Sequence, residues 1–187
     1  RIQVMRPGLD LEGLWKTINA LDTEIERSVN YAFSPRLGYL TACPTNVGTG
    51  LRASVMMHLP GLTLMNEIGP IIKGIEKIGL AVRGLWGEGT EAAGNMFQIS
   101  NQTTLGEKEE SLITRLAQIV TEVGEHETNA RARLLQQKEA SLRDHIGRAY
   151  GILMHAHMMS SKETLDMLSA LRVGIEMDLL SDWKVAD

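Results

Sequence analysis

The chain has 187 residues, 43% hydrophobic and 22% charged, enough to bury a sizeable core and typical of a globular domain. Its net charge of −4 disfavours a non-specific nucleic-acid binder, and no run of about 18 apolar residues is present to cross a membrane as a helix. A single cysteine, Cys43, excludes an intramolecular disulfide and a cysteine-based zinc cluster, and the opening RIQVMRPGLD lacks an apolar signal segment, so a reducing cytoplasm is expected.

In chain order, RIQVMR reads as a short strand stopped by Pro7-Gly8. Leu11, Leu14, Trp15, Ile18, Leu21, Ile25 and Val29 recur at spacings of three and four, which predicts a helix with Asp10 at its N-cap. GYLTAC and LRASVMMHL read as strands joined by the loop PTNVGTG. A helix is expected over Leu62 to Ile78, then strands at LAVRGL and NMFQIS on either side of the glycine-rich GLWGEGTEAAG. Stripes at Leu112, Leu116, Val120 and Val123, and later at Leu165, Leu168 and Leu171, predict three or four helices with breaks near Gly124 and Ser160-Ser161.

Composition divides the chain. All five prolines fall within the first 70 residues and 14 of 18 glycines at or before Gly106. Residues 1–106 balance nine basic against nine acidic side chains, whereas 107–187 carry ten against fourteen and hold the whole net charge. The expected organisation is a turn-rich body over 1–106 and a helical extension over 107–187 packed on it. The fold class is α+β, a mixed or antiparallel sheet flanked by helices.

Two segments carry chemistry. In CPTNVGTGLRAS, a glycine loop leads straight into Arg52, an arrangement in which backbone N–H groups and a guanidinium converge on an anion, although such a turn also serves as plain structure. Cys43 beside it reads either as a low-pKa thiolate or as a small buried residue, and composition favours the second. In AVRGLWGEGTEAAGN, Arg83 follows an apolar strand, and Glu88 and Glu91 sit among glycines that suit closure over a ligand or a solvated surface loop. His58 reads as a structural histidine, and His126, His145, His155 and His157 lack partners at metal-ligand spacing, so no metal site is expected.

Taken together, CPTNVGTGLRAS, the following HLP, VRG, GEGTE and ISN resemble the catalytic domain of the ATP:guanido phosphotransferases, whose fold is glutamine-synthetase-like. GEGTEAAGNMFQISNQTTLG and the long helical continuation are similar to the bacterial branch that phosphorylates arginine side chains in proteins. The resemblance implies ATP as phosphoryl donor, with Mg2+ bound mainly through it, and Arg1, Arg52 and Arg83 as clamps on the phosphates. It implies that Glu88 holds the substrate guanidinium and that Cys43 acts as a thiolate beside it. Thr45, Asn46, Gly48, Thr49 and Gly50 would shape the Cys43 loop, and Gly89, Thr90, Glu91, Gly94 and Asn95 the loop against the nucleotide. Implied partners are proteins with exposed arginines, the Clp protease machinery and a second copy of the chain.

The sequence departs from the family in three places. The acidic segment that precedes the arginine matching Arg1 is absent from these 187 residues, Met56 stands where small-molecule guanido kinases carry a histidine near the adenine, and Gln102-Thr103-Thr104 stand where they carry an arginine. The chain alone is therefore expected to turn over poorly. Two other readings remain open: a kinase for a small guanidino compound, and a non-catalytic phosphoarginine-binding module using Arg131, Arg133, Arg143 and Arg148. Against the latter, the same arginines fit solvated helix faces paired with Glu127, Glu139 and Asp144.

Overall fold

A computed structural model describes residues 1–85 and 92–180. Helix α1 covers Leu11–Glu26, and its start follows from Asp10, whose carboxylate accepts the Gly13 N–H at 3.0 Å and satisfies a donor that a helix start leaves open. Strands β1 (Phe33–Ser34) and β2 (Gly38–Tyr39) form an antiparallel hairpin. A second sheet has the order β3-β5-β4, from β3 (Ser54–His58), β4 (Leu80–Gly84) and β5 (Met96–Asn101). Leu59 N–H donates to the Asn95 carbonyl at one end of the β3/β5 pair and Asn101 N–H to the Ala53 carbonyl at the other, so these strands run antiparallel. Leu85 to Met96 and Gln102 to Gly79 fix the same sense for β4/β5. Helices α2 (Pro60–Leu64) and α3 (Ile68–Lys77) connect β3 to β4, and α4 (Glu109–His155) and α5 (Ser161–Glu176) follow β5. The result is the α+β fold, with antiparallel sheets and flanking helices, that the sequence predicts.

Local expectations change in four places. RIQVMR is irregular rather than a strand, and Arg6 pairs with Asp10 instead of entering a sheet. GYLTAC is a strand only over Gly38–Tyr39, with the Leu40 N–H still donating to the Ala32 carbonyl at 2.7 Å, and Pro44 opens a 3₁₀ turn directly after Cys43. The helix expected over Leu62 to Ile78 divides at Asn66, which has φ +61. Pro70 accounts for the restart: lacking an N–H, it fits within the first turn of α3 and not in a helix interior. Gly124 does not end a helix either; it lies inside the 47-residue α4, whose only non-helical residue is Lys138 (φ −137, ψ 29). One helical glycine costs about 1 kcal/mol, too little to break a run with strong formers on both sides. The break after His155 is real, and Ser160 caps α5 by accepting the Glu163 N–H.

Two compact units can be described separately. The first comprises Arg1–Val55, Ile75–Ala81 and Ile99–Glu122, with Ile75, Leu80, Ile99, Leu112, Leu116 and Val120 buried. The second comprises Met56–Gly74, Val82–Gln98 and Val123–Asp187, where Leu134, Leu142, Ile146, Val173 and Leu179 form a core lined by Leu64 and Met65. Among the described residues no helix is long and apolar enough to cross a membrane.

Candidate active site

The Cys43 loop projects reactive groups outward. Composition favours a buried Cys43, but the side chain is exposed, on an extended residue directly before the 3₁₀ turn that Pro44 opens. Its Sγ lies 3.0 Å from Thr45 Oγ1. Hydrogen bonding from the Thr45 hydroxyl and then from the Thr45 backbone N–H holds the thiol below its ordinary pKa, since both donors favour the thiolate. Thr45, Asn46 and Gly50 are exposed around it, and Gly48 and Thr49 are half-buried.

This loop is tied down from the segment after β5. The Thr104 hydroxyl donates between the carbonyls of Thr45 (2.9 Å) and Val47 (2.8 Å), and the Thr49 N–H returns a bond to the Thr104 carbonyl at 2.9 Å. Gly48 has φ +113, and a Cβ there would meet the Thr104 carbonyl oxygen at 2.2 Å, so the close approach requires glycine. Arg52 emerges from this loop exposed, with Nη2 donating to the Oγ of buried Ser100 at 3.3 Å. Among the described residues Arg52 makes no ion pair. Its charge is held by a neutral partner and stays available to an anion.

In the second unit, Arg83 is exposed on β4. The Ala93 N–H donates to the Leu85 carbonyl at 3.0 Å. Gly94, at φ +62, packs so closely that a Cβ would meet the Leu165 carbonyl oxygen at 3.0 Å, and its N–H donates to Asp166 Oδ1 at 2.7 Å. Asn95 Nδ2 donates to Ser169 Oγ at 2.8 Å, and that hydroxyl is also 2.7 Å from His58 Nε2. Burial first, then the Arg172 and Arg131 charges, push His58 down to about 4, which suits a packed neutral imidazole. Glu88, Gly89, Thr90 and Glu91 lie outside the described residues. Arg1 is exposed at the first position, and Met56 is exposed on β3.

Arg131, Arg133, Arg143 and Arg148 are each engaged by a carboxylate: Arg131 by Glu127 and Glu176, Arg133 by Glu67, Arg143 by Glu139 and Arg148 by Asp144. Arg143 and Arg148 remain more than half exposed in these pairs. Glu127 differs from the solvated partner the sequence suggests: it is buried and accepts the N–H groups of Gly61 and Leu62, the unpaired donors at the start of α2. Among the described residues no group of three or more His, Cys, Asp or Glu could hold a metal ion.

Sequence reasoning missed Ser100, Asn101 and Thr104 as supports. Asn101 is buried; its Oδ1 accepts the Ala53 N–H at 2.8 Å, and its Nδ2 donates to the carbonyls of Leu51 (3.0 Å) and Thr103 (3.1 Å). The available signal was a Ser-Asn pair ending an apolar strand, polar residues where an apolar run was expected to continue.

Residues 1–130 match the family described as ATP:guanido phosphotransferase, C-terminal catalytic domain, and residues 139–187 match the protein-arginine kinase McsB C-terminal domain. Protein-arginine kinases of Halothermothrix orenii and Pelotomaculum thermopropionicum are 51% and 48% identical, each match covering 97% of this chain and 52% and 51% of the relative. The chain thus spans about half the length of the curated relatives it matches. Among solved structures, the duplicated taurocyamine kinase from Schistosoma mansoni with bound transition state analog components is 30% identical with a TM-score of 0.58, covering 73% of this chain and 20% of that one. A lombricine kinase is 33% identical with a TM-score of 0.51, covering 63% and 32%. An exposed arginine on a stapled Cys-Pro-Thr-Asn loop and the match over residues 1–130 lead to one conclusion: the chain belongs to the ATP:guanido phosphotransferase family, through its C-terminal catalytic domain.

Proposed function

We propose that this chain is the catalytic half of a bacterial kinase that transfers the γ-phosphoryl group of ATP to arginine side chains in proteins. The observation that carries the reading is the loop over 43–52: an exposed Cys43 with a lowered pKa and an exposed Arg52 that makes no ion pair among the described residues, both on a backbone tied down by Thr104 and Asn101. Phosphoryl transfer needs fixed cations more than covalent chemistry. Arg52, with Arg1 and Arg83, supplies them to the phosphates. Magnesium is carried by those phosphates and not by a protein ligand set. The guanidinium nitrogen attacks the γ-phosphorus, the bond to the ADP oxygen breaks, and a guanidinium proton passes to Glu88. The Cys43 thiolate faces the cationic acceptor and offsets its charge. Gly48 to Gly50 keep that loop in place, and Gly89, Thr90, Glu91, Gly94 and Asn95 border the nucleotide.

The match over 139–187 supports a protein acceptor over a small guanidino compound. The expected setting is the cytoplasm, with Clp protease machinery and a second copy of the chain as partners. A chimaera that places residues 1–187 behind the N-terminal half of the Halothermothrix orenii relative, given γ-labelled ATP, tests the reading. Label on an arginine-rich protein that is lost in acid and retained in base, as a phosphoramidate is, is expected, and Glu88→Gln should remove most of it. Acid-stable label, or faster transfer to free arginine or creatine, would contradict the reading.

A further inference from the structure

We propose that Ser100 and Asn101 are positioning residues that aim Arg52 at the nucleotide phosphates; this rests on the reading of Arg52 as a phosphate clamp given above. An exposed arginine has four rotatable side-chain bonds and a backbone that, at the start of a strand, is free to fray. Both freedoms weaken a phosphate clamp, because the cation must be ordered each time a nucleotide binds. The two residues that close β5 remove one freedom each.

Asn101 acts on the backbone. Its own N–H donates to the Ala53 carbonyl at 3.3 Å, its Oδ1 accepts the Ala53 N–H at 2.8 Å, and its Nδ2 donates to the Leu51 carbonyl at 3.0 Å. These three bonds bracket Arg52 on both sides. β3 begins only at Ser54, so the carboxamide supplies hydrogen bonding that the strand ladder does not yet provide. The third bond of the side chain, Nδ2 to the Thr103 carbonyl, ties the same amide to the segment that leads to Thr104 and the Cys43 loop. Asn101 is 5% exposed, so water does not replace these bonds when the side chain is removed.

Ser100 acts on the guanidinium. Its Oγ, on a residue 1% exposed, accepts from Arg52 Nη2 at 3.3 Å and selects one orientation of the planar fork. The partner's neutrality matters. A carboxylate at this position would hold Arg52 equally well while cancelling the charge the phosphates need. A hydroxyl holds the group and leaves the charge.

The test is a double-mutant cycle in the chimaera, reading the dissociation constant of Mg-ADP by calorimetry and the KM of ATP and of the protein acceptor. Ser100→Ala is expected to weaken ADP about threefold to tenfold and Asn101→Ala about tenfold or more, with the acceptor KM unchanged. Ser100→Asp should weaken ADP more than Ser100→Ala, by pairing with Arg52. In an Arg52→Ala background, adding Ser100→Ala should cost nothing further. Equal losses with and without Arg52 would overturn the positioning role, since a merely structural residue acts independently of that side chain. Unchanged ADP binding in Ser100→Ala would also overturn it. If Arg52→Ala itself leaves ADP binding intact, the phosphate-clamp reading fails, a result distinct from additivity in the cycle. Ser100→Ala removes a single hydroxyl, so the cycle stands even if Asn101→Ala does not fold.

Discussion

Arg52 and Arg131 show two uses of one side chain. Arg131 is mostly buried and donates to Glu127 at 2.6 Å and to Glu176 at 2.5 Å, while Glu127 in turn holds the start of α2. Each charge there meets its opposite: Glu127 accepts from Arg131, and Glu176 from both Arg131 and Arg172. Arg52 is exposed, and among the described residues its guanidinium donates to a neutral hydroxyl. The first arrangement joins parts of the chain; the second presents a charge to something outside it. A count of arginines cannot tell them apart, whereas the chemistry of the partner can.

The contrast can be broken at its structural pole first. Glu127→Ala leaves Arg131 half-paired and the Gly61 and Leu62 N–H groups without an acceptor, and is expected to cost about 3–5 kcal/mol in urea unfolding. Glu127→Gln, which keeps an accepting oxygen, should cost less. A loss below about 1 kcal/mol for the alanine variant would mean the cluster is not structural.

His58 should give a smaller, pH-dependent effect. Its folded pKa of about 4 lies below the ordinary 6.5, so between those values the unfolded chain binds more protons. Its contribution to stability is complete above about pH 6.5 and is lost as pH falls toward 4. Allowing for solvent screening of a part-exposed ring, the loss is about 1–2 kcal/mol. His58→Gln should flatten unfolding free energy across that window, and a variant with undiminished pH dependence would show that other groups cause it.

The smallest effect expected is kinetic and confined to the Cys43 loop. Thr45→Val removes the hydroxyl that favours the thiolate, so the pH profile of Cys43 alkylation by iodoacetamide should move to higher pH, and the rate at neutral pH should fall. An unchanged profile would assign the lowered pKa to the backbone N–H alone.

Much of this was legible in the sequence where a residue's own chemistry decides the outcome. Asp10 caps α1 as its side chain predicts, and Arg52 and Cys43 stand out in the sequence beside a glycine loop. What stayed hidden depends on residues distant in sequence. Ser100 lies 48 residues from Arg52, and Glu127 lies 66 from Gly61, separations that no local periodicity reports. The exposure of Cys43 was misjudged for a related reason: composition describes the average cysteine, while this one is an extended residue directly before the 3₁₀ turn that Pro44 opens. The long α4 shows the opposite case, in which a local signal, Gly124, was outweighed by its helical flanks.

The most direct test of the account is the Mg-ADP affinity of Arg52→Ala and Arg131→Ala compared in the chimaera, each alongside its urea unfolding curve. The account predicts a crossover: Arg52→Ala loses nucleotide affinity by roughly a hundredfold with unfolding within about 0.5 kcal/mol of the parent. Arg131→Ala, at a temperature where it is folded, keeps the affinity and loses stability. Equal nucleotide affinity in the two variants would contradict the assignment of Arg52 to the phosphates.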